Sequence, residues 1–229
     1  MRQITAFRSK KDLVYDSLRA AILQGDLRPG ERLIIDDLAA ELGVSQIPVR
    51  EALQQLQADG FVTIEPYVGA TVADLQAEGI VEIFALLEAM ESISSQIAAQ
   101  RMTEQDLAEI EAHLRAMDGM VTDLDQWSEA NIQLHQLLCE KAGTRLVGML
   151  MRKVADHWER MRRIYLNDVF AYRVADAQRE HWLILEALKS RDLERIAQIV
   201  REHNRAARQA YVEHLQRSGH LETPLVVVQ

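Results

Sequence analysis

Residues Leu38–Gly69 read LAAELGVSQIPVREALQQLQADGFVTIEPYVG. Leu38, Ala39 and Leu42 give a short apolar helix that runs into Gly43-Val44-Ser45. A longer helix follows, with Val49, Ala52, Leu53 and Leu56 on one face. Gly43 suits the position past a helix end, where a left-handed backbone carries no Cβ penalty. Ser45 suits the N-cap of the second helix, its hydroxyl accepting from a free backbone N–H. Pro48 is tolerated in a first turn, whose N–H groups lack intrahelical partners. Two helices joined by so tight a turn make a helix-turn-helix, and its second helix fits a DNA major groove.

The next residues extend the motif. Phe61–Ile64 and Ala70–Ala73 are short β-branched runs on either side of Pro66-Tyr67-Val68-Gly69, the signature of a hairpin. Helix, turn, helix and hairpin together predict a winged helix-turn-helix. Two core helices of another α-domain would have to meet a hairpin of this length by chance.

A chain of 229 residues has room for a small and a larger domain. Few aromatics and abundant Ala, Leu, Glu, Gln and Arg predict a mainly α protein. The expected division is a DNA-binding domain over residues 1–74, a helical domain over 75–217 and a loosely held tail over 218–229. No apolar run reaches the roughly 18 residues of a membrane helix, and the first residues lack a signal-peptide core. Cys139 is the single cysteine, which excludes an intrachain disulfide and fits a cytoplasmic setting. The net charge of −9 argues against a generic polyanion binder. DNA binding must therefore rest on a few placed cations. Arg2, Arg8, Lys10 and Lys11 form a small basic arm, read as a solvated terminus.

Beyond a polar connector, Asp74–Glu78, the 3.6-residue period predicts helices over Glu78–Arg101, Glu104–Val121, Asp125–Lys141, Arg145–Leu166, Val174–Ser190 and Leu193–Gln216. Thr103 and Thr144 are expected N-caps, Thr103 with Asp106 at the capping-box position.

These residues carry a family resemblance. Leu33, the run LGVSQIPVREAL (Leu42–Leu53), DGFV (Asp59–Val62) and Gly69 resemble the DNA-binding domain of the GntR family of bacterial transcription regulators. The helical remainder resembles the FadR-like branch with its C-terminal ligand-sensing FCD domain. The matching stretches are ANIQLHQLLCEKAG (Ala130–Gly143), EHWLILEALKSRD (Glu180–Asp192) and REHNRAA (Arg201–Ala207). The resemblance implies a homodimeric regulator that binds double-stranded operator DNA and responds to a small-molecule effector. It also implies that Ser45, Gln46, Ile47, Pro48 and Arg50 begin the recognition helix at the groove, with Gly69 at the wing tip. Physically, Arg50 can fork onto a phosphate or onto guanine O6 and N7; a surface ion pair with Glu51 or Asp59 is the competing reading. Gln46 and Ile47 stand where family members often carry Arg and Thr, so the operator is expected to differ. Tyr67 and Val68 replace basic residues often seen in the wing.

Three histidines form the second constellation. His135 lies one turn after Asn131 and shares a face with Leu134 and Leu138. His181 falls on a stripe with Ile184, Leu185 and Leu188, and His203 on one with Ile196, Ile199, Val200 and Ala207. One histidine in an apolar stripe is ordinarily a hydrogen-bonded core residue. Three on separate helices each need partners, and one shared cation would satisfy them together. The FCD resemblance maps a metal site onto Asn131, His135, His181 and His203, holding one divalent transition metal per chain. Imidazole ligands point to zinc or nickel. Asn131 stands where the family often has Asp, which leaves more positive charge for an anionic effector such as an organic acid. Leu87 stands where many family members carry an effector-binding Arg; Arg160, Arg163 or Tyr165 are the alternatives, the two arginines being expected at the surface. The other histidines, His113, His157, His214 and His220, are read as surface or ordinary core residues.

The expectation is therefore a metal-dependent, effector-controlled regulator and not an enzyme. A regulator that senses the metal itself, or a metalloenzyme fused to a DNA-binding module, are the alternatives. No acid is placed by motif as the general base a catalytic metal would need.

Overall fold

The computed structural model describes residues 8–221. Arg2 of the basic arm and residues 222–229 of the expected tail lie outside the described residues. The chain divides into two compact units, the first ending at Gln76 and the second starting at Ala77.

The first unit starts with α1 (Lys10–Gln24), capped by Ser9 and Asp12 in a reciprocal capping box. Lys10 and Lys11 thus belong to a helix, and Arg8 pairs with Asp16 at 3.3 Å. The strand β1 (Arg32–Leu33) leads into α2 (Ile35–Glu41), and α3 (Gln46–Ala58) follows across the turn. Gly43 holds φ +64°, the left-handed conformation its place demanded. Ser45 is the N-cap of α3 in backbone geometry, yet its hydroxyl makes no capping hydrogen bond, contrary to expectation. The wing is β2 (Val62–Glu65) and β3 (Gly69–Val72), paired antiparallel with Glu65 opposite Gly69. On its other edge β3 pairs with β1, giving the order β1-β3-β2. Ile22, Val49, Ala52, Leu53, Leu56 and Phe61 fill the core between α1, α3 and the sheet.

The second unit is helical throughout. It comprises α4 (Gly79–Arg101), α5 (Glu104–Asp118), α6 (Leu124–Ala142), α7 (Arg145–Met161), α8 (Asn167–Ser190) and α9 (Leu193–Arg217). The helix α4 packs along α9, α6 and α7, while α8 lies against α9 and α5. Thr103 and Asp106 form the expected capping box. Thr144 gives no side-chain cap; its hydroxyl turns back to the Cys139 carbonyl at 3.0 Å. The interruption expected between Leu166 and Val174 is absent. Helical backbone runs from α7 through a π-helical turn, Arg162–Leu166, straight into α8.

Candidate functional site

The exposed start of α3 carries Ser45, Gln46, Ile47 and Arg50, whereas Pro48 turns inward with Val49 and Ala52. Ile47 is 68% exposed, an apolar side chain at a helix start with no intramolecular cover. The Gln46 amide donates to Asp36 of α2, and Arg50 Nη2 stands 3.4 Å from Gln46 Oε1. This file of polar side chains links the two helices of the motif. Asp59, a conceivable ion-pair partner for Arg50, accepts instead from the Tyr15 hydroxyl at 2.8 Å. At the wing tip Gly69 has φ +110° and Tyr67 φ +66°. A non-glycine residue is uncommon in that region. Arg32 steadies the tip by donating to the Val68 carbonyl at 2.8 Å, and leaves the Tyr67 ring fully in solvent.

Within the helical unit, α6, α8 and α9 bring His135, His181 and His203 together, with one ring nitrogen of each inside a 4.8 Å group. All three are buried. His203 Nδ1 donates to Glu180 Oε2 at 2.6 Å, which leaves Nε2 free of that contact. His135 Nδ1 lies 3.2 Å from Glu91 Oε1 but off the line of a hydrogen bond. Both nitrogens of His181 are buried without a hydrogen-bond partner, and so is Asn131 Oδ1, one turn before His135.

Burial favours the neutral form of two of these imidazoles, His135 and His181. Burial lowers the pKa of His135 despite the opposing pull of Glu91, and lowers that of His181 well below its ordinary value. Glu180 goes the other way: burial disfavours its charge, but hydrogen bonds from His203 and Arg173 outweigh it and hold the carboxyl below the usual range. Trp127 stacks on His181 at 5.7 Å between ring centroids, and its indole N–H donates to Gln178 at 3.1 Å. Gln178 in turn donates to the Leu114 carbonyl and to Asp118. Trp127 and Glu180 thus fix His181 and His203 from behind. Imidazole nitrogens and an amide oxygen are a donor set for a divalent cation.

Two members of the cluster, His135 and His203, line a cavity that also carries Asn131, Leu87, Glu91, Arg173, Trp158 and Tyr211, while His181 lies outside its lining. It offers about 60 Å³ to the centres of water-sized atoms. Arg163 and Tyr165 do not line it. Arg163 is committed to Glu159 at 2.6 Å and Asp125 at 3.1 Å, and Tyr165 packs on His220. Arg160, expected at the surface, is 1% exposed. The arginine that does reach the cavity is Arg173, and sequence reasoning missed it. Its signal was its place eight residues before His181, two helical turns along one face, in a stretch read as a break between helices. Of the other histidines, His113 caps the Ala130 carbonyl at 2.8 Å, the ordinary role expected of it.

The fold defines a winged helix-turn-helix of the DNA-binding type joined to an all-helical domain. The model of the gntR family of bacterial regulatory proteins matches residues 10–72, and that of the FCD domain matches residues 82–216. The chain belongs to the GntR family, in its FCD-bearing branch, and is a transcriptional regulator of that type. It is 31% identical to the Nta operon transcriptional regulator of Aminobacter aminovorans over 170 residues, 72% of this chain and 78% of that one. It is 26% identical to the HTH-type transcriptional repressor GlaR of Escherichia coli over 197 residues, 82% and 90% of the two chains. Among solved structures, a putative GntR transcriptional regulator from Rhodococcus sp. RHA1 superposes with a TM-score of 0.72 at 26% identity, over 89% of this chain and 98% of that one. These similar proteins are regulators, which sets aside the fused metalloenzyme. No described helix is long and apolar enough to cross a membrane.

Proposed function

We propose that this regulator binds its operator as a homodimer and that a small organic acid, held at a divalent metal site in the helical domain, controls that binding. His135, His181 and His203 would supply nitrogen ligands and Asn131 an oxygen. The carrying observation is the set of unpartnered buried atoms. Two nitrogens of His181 and Asn131 Oδ1 have no donor or acceptor, and each orphan costs roughly 1–3 kcal/mol of desolvation. One cation would satisfy one nitrogen of His181 and the Asn131 oxygen together, and so remove most of that cost. Bound there, a zinc or nickel ion would supply positive charge for an anion. The chain's own part is to orient the rings, through Glu180 behind His203 and Trp127 against His181.

Dimerisation is supported by an apolar face. Leu86 and Ile93 on α4, seven residues apart, and Leu146, Met149 and Leu150 on α7 are all exposed. The two helices pack against each other, and such a face seeks cover. A two-fold dimer would present two recognition helices to two half-sites. On the DNA side, the exposed Gln46, Ile47 and Arg50 would meet base edges and Gly69 the adjoining backbone.

Metal analysis of purified protein tests the reading. About one zinc or nickel ion per chain is expected, falling to none in a His135→Ala, His181→Ala, His203→Ala triple variant. A folded triple variant that still answers the natural inducer would defeat it. The metal-sensing alternative predicts that metal alone changes operator binding in a gel-shift assay.

A further inference from the structure

The wall of the cavity has one cation and a shell of rings. Among the described residues lining it, Arg173 is the one Lys or Arg. It is 6% exposed; one guanidinium nitrogen holds Glu180, while Nε is buried and without a hydrogen-bond partner. A buried guanidinium N–H without an acceptor is expensive, and a carboxylate oxygen is its best complement. Leu87 brings no second cation. The same cavity is lined by an aromatic group: Trp158 sits 5.3 Å from Phe84 edge-on and 4.9 Å from Tyr211, centroid to centroid. Asn204, a polar neighbour on the wall, has its amide committed to Glu91 at 2.7 Å and to the Val200 carbonyl.

We propose that the cavity is selective for a small monocarboxylate with an apolar, ring-sized body, and that Arg173 is the residue that recognises its carboxylate. The inference rests on the reading that this cavity is the effector site, and it narrows the ligand class. Glu180 joins Arg173 to His203, so a single carboxylate can meet both the ion and Arg173. A second or third would find the rings, Leu87 and the acidic Glu91 where it needed donors. Size sets the other limit. At roughly 10–15 Å³ of such space per water, the 60 Å³ corresponds to about four to six waters. That suits a benzoate-sized acid and excludes nucleotides and acyl thioesters of coenzyme A.

The test uses the full-length protein with its metal content measured, and benzoate and phenylacetate as probes against succinate and citrate. Trp127 and Trp158 both line the cavity, so intrinsic fluorescence reports occupancy, with calorimetry as a second readout. Benzoate or phenylacetate should bind at least tenfold more tightly than succinate or citrate. Arg173→Gln should weaken the aromatic acid about tenfold or more, the worth of a charge-assisted hydrogen bond, with metal content unchanged. Because Arg173→Gln also releases Glu180, a second variant carries the test if the first fails to fold. Leu87→Arg adds a second cation to the wall and should raise succinate affinity relative to benzoate. Preference for citrate or succinate in the parent, an unchanged benzoate affinity in folded Arg173→Gln, or binding of none of the four acids by metal-loaded protein would each overturn the proposal. The last result would leave the metal site standing. Benzoate binding through Arg173 in protein that carries no metal would sustain this inference and remove the metal from the effector site.

Discussion

Replacing His181 by leucine separates a ligand histidine from a packing histidine. The two side chains have similar volume, so the change leaves little cavity and little overpacking. In metal-free protein it removes two buried nitrogens that have no hydrogen-bond partner. That relief amounts to roughly 1–3 kcal/mol. Against it stands the lost stack on Trp127, about 0.5–1.5 kcal/mol. The metal-free variant should therefore unfold at the parent's temperature or a few degrees higher, taking about 2–4 °C per kcal/mol for a chain of this size. With zinc the order reverses. The parent gains by linkage, about 4 kcal/mol when free metal exceeds its dissociation constant a thousandfold, and the variant gains far less. Calorimetric scans of both proteins, with chelator and with zinc, give the four numbers. A metal-free variant destabilised by more than about 2 kcal/mol, or one that zinc stabilises as much as the parent, would refute the reasoning.

Arg50→Ala should weaken operator binding by roughly 1–3 kcal/mol with an unchanged far-ultraviolet spectrum; a gel shift against the operator fragment checks it, and unaltered affinity removes Arg50 from the interface. The metal-free protein should lose stability on mild acidification. Burial places the folded-state pKa values of His135 and His181 below the ordinary 6.5, so the unfolded chain binds more protons; the stability is whole above that value and drains as pH falls beneath it. Urea midpoints at about pH 7.5 and about pH 5.5 should differ accordingly, and equal midpoints would contradict the assignment of neutral imidazoles. Leu150→Glu, on the exposed face of α7, should shift the sedimenting species from dimer toward monomer; a dimer that tolerates the charge is held elsewhere.

Much of this arrangement was legible in the residues themselves. Gly43, the α3 stripe and the β-branched runs around Gly69 act over a few residues, and so announce the winged motif locally. The histidines were legible for the same reason: each sits at helical spacing among Ile, Leu and Val. Strand β1 was not, because two residues carry no period and Arg32 meets its partner Thr71 only in the folded sheet. Arg162 escaped notice as well. It is wholly buried, and only the fold brings Asp125 within 2.6 Å to join Glu159 in neutralising it. Arg173 was hidden by the supposed break before Val174. Asn167, Asp168 and Tyr172 weaken the apolar period there, while tertiary packing of Phe170 and Val174 keeps the helix going.

The π-helical turn at Arg162–Leu166 lets the chain carry a supernumerary residue without turning the helix further. Any count by 3.6 that crosses it slips one place, and the apolar stripe of α7 therefore seems to lose step with that of α8. The turn works as a splice between two rods whose phases were set separately, one against α4 and α6, the other against α5 and α9. Shortening the chain by one residue should consequently have opposite results on its two sides. Deleting Ile164, exposed within the turn, would heal it to regular helix and leave His181 facing its neighbours. Deleting one residue between Asn167 and Arg173 would rotate His181 by about 100° and take it out of the cluster, readable as lost zinc in a chain that remains helical.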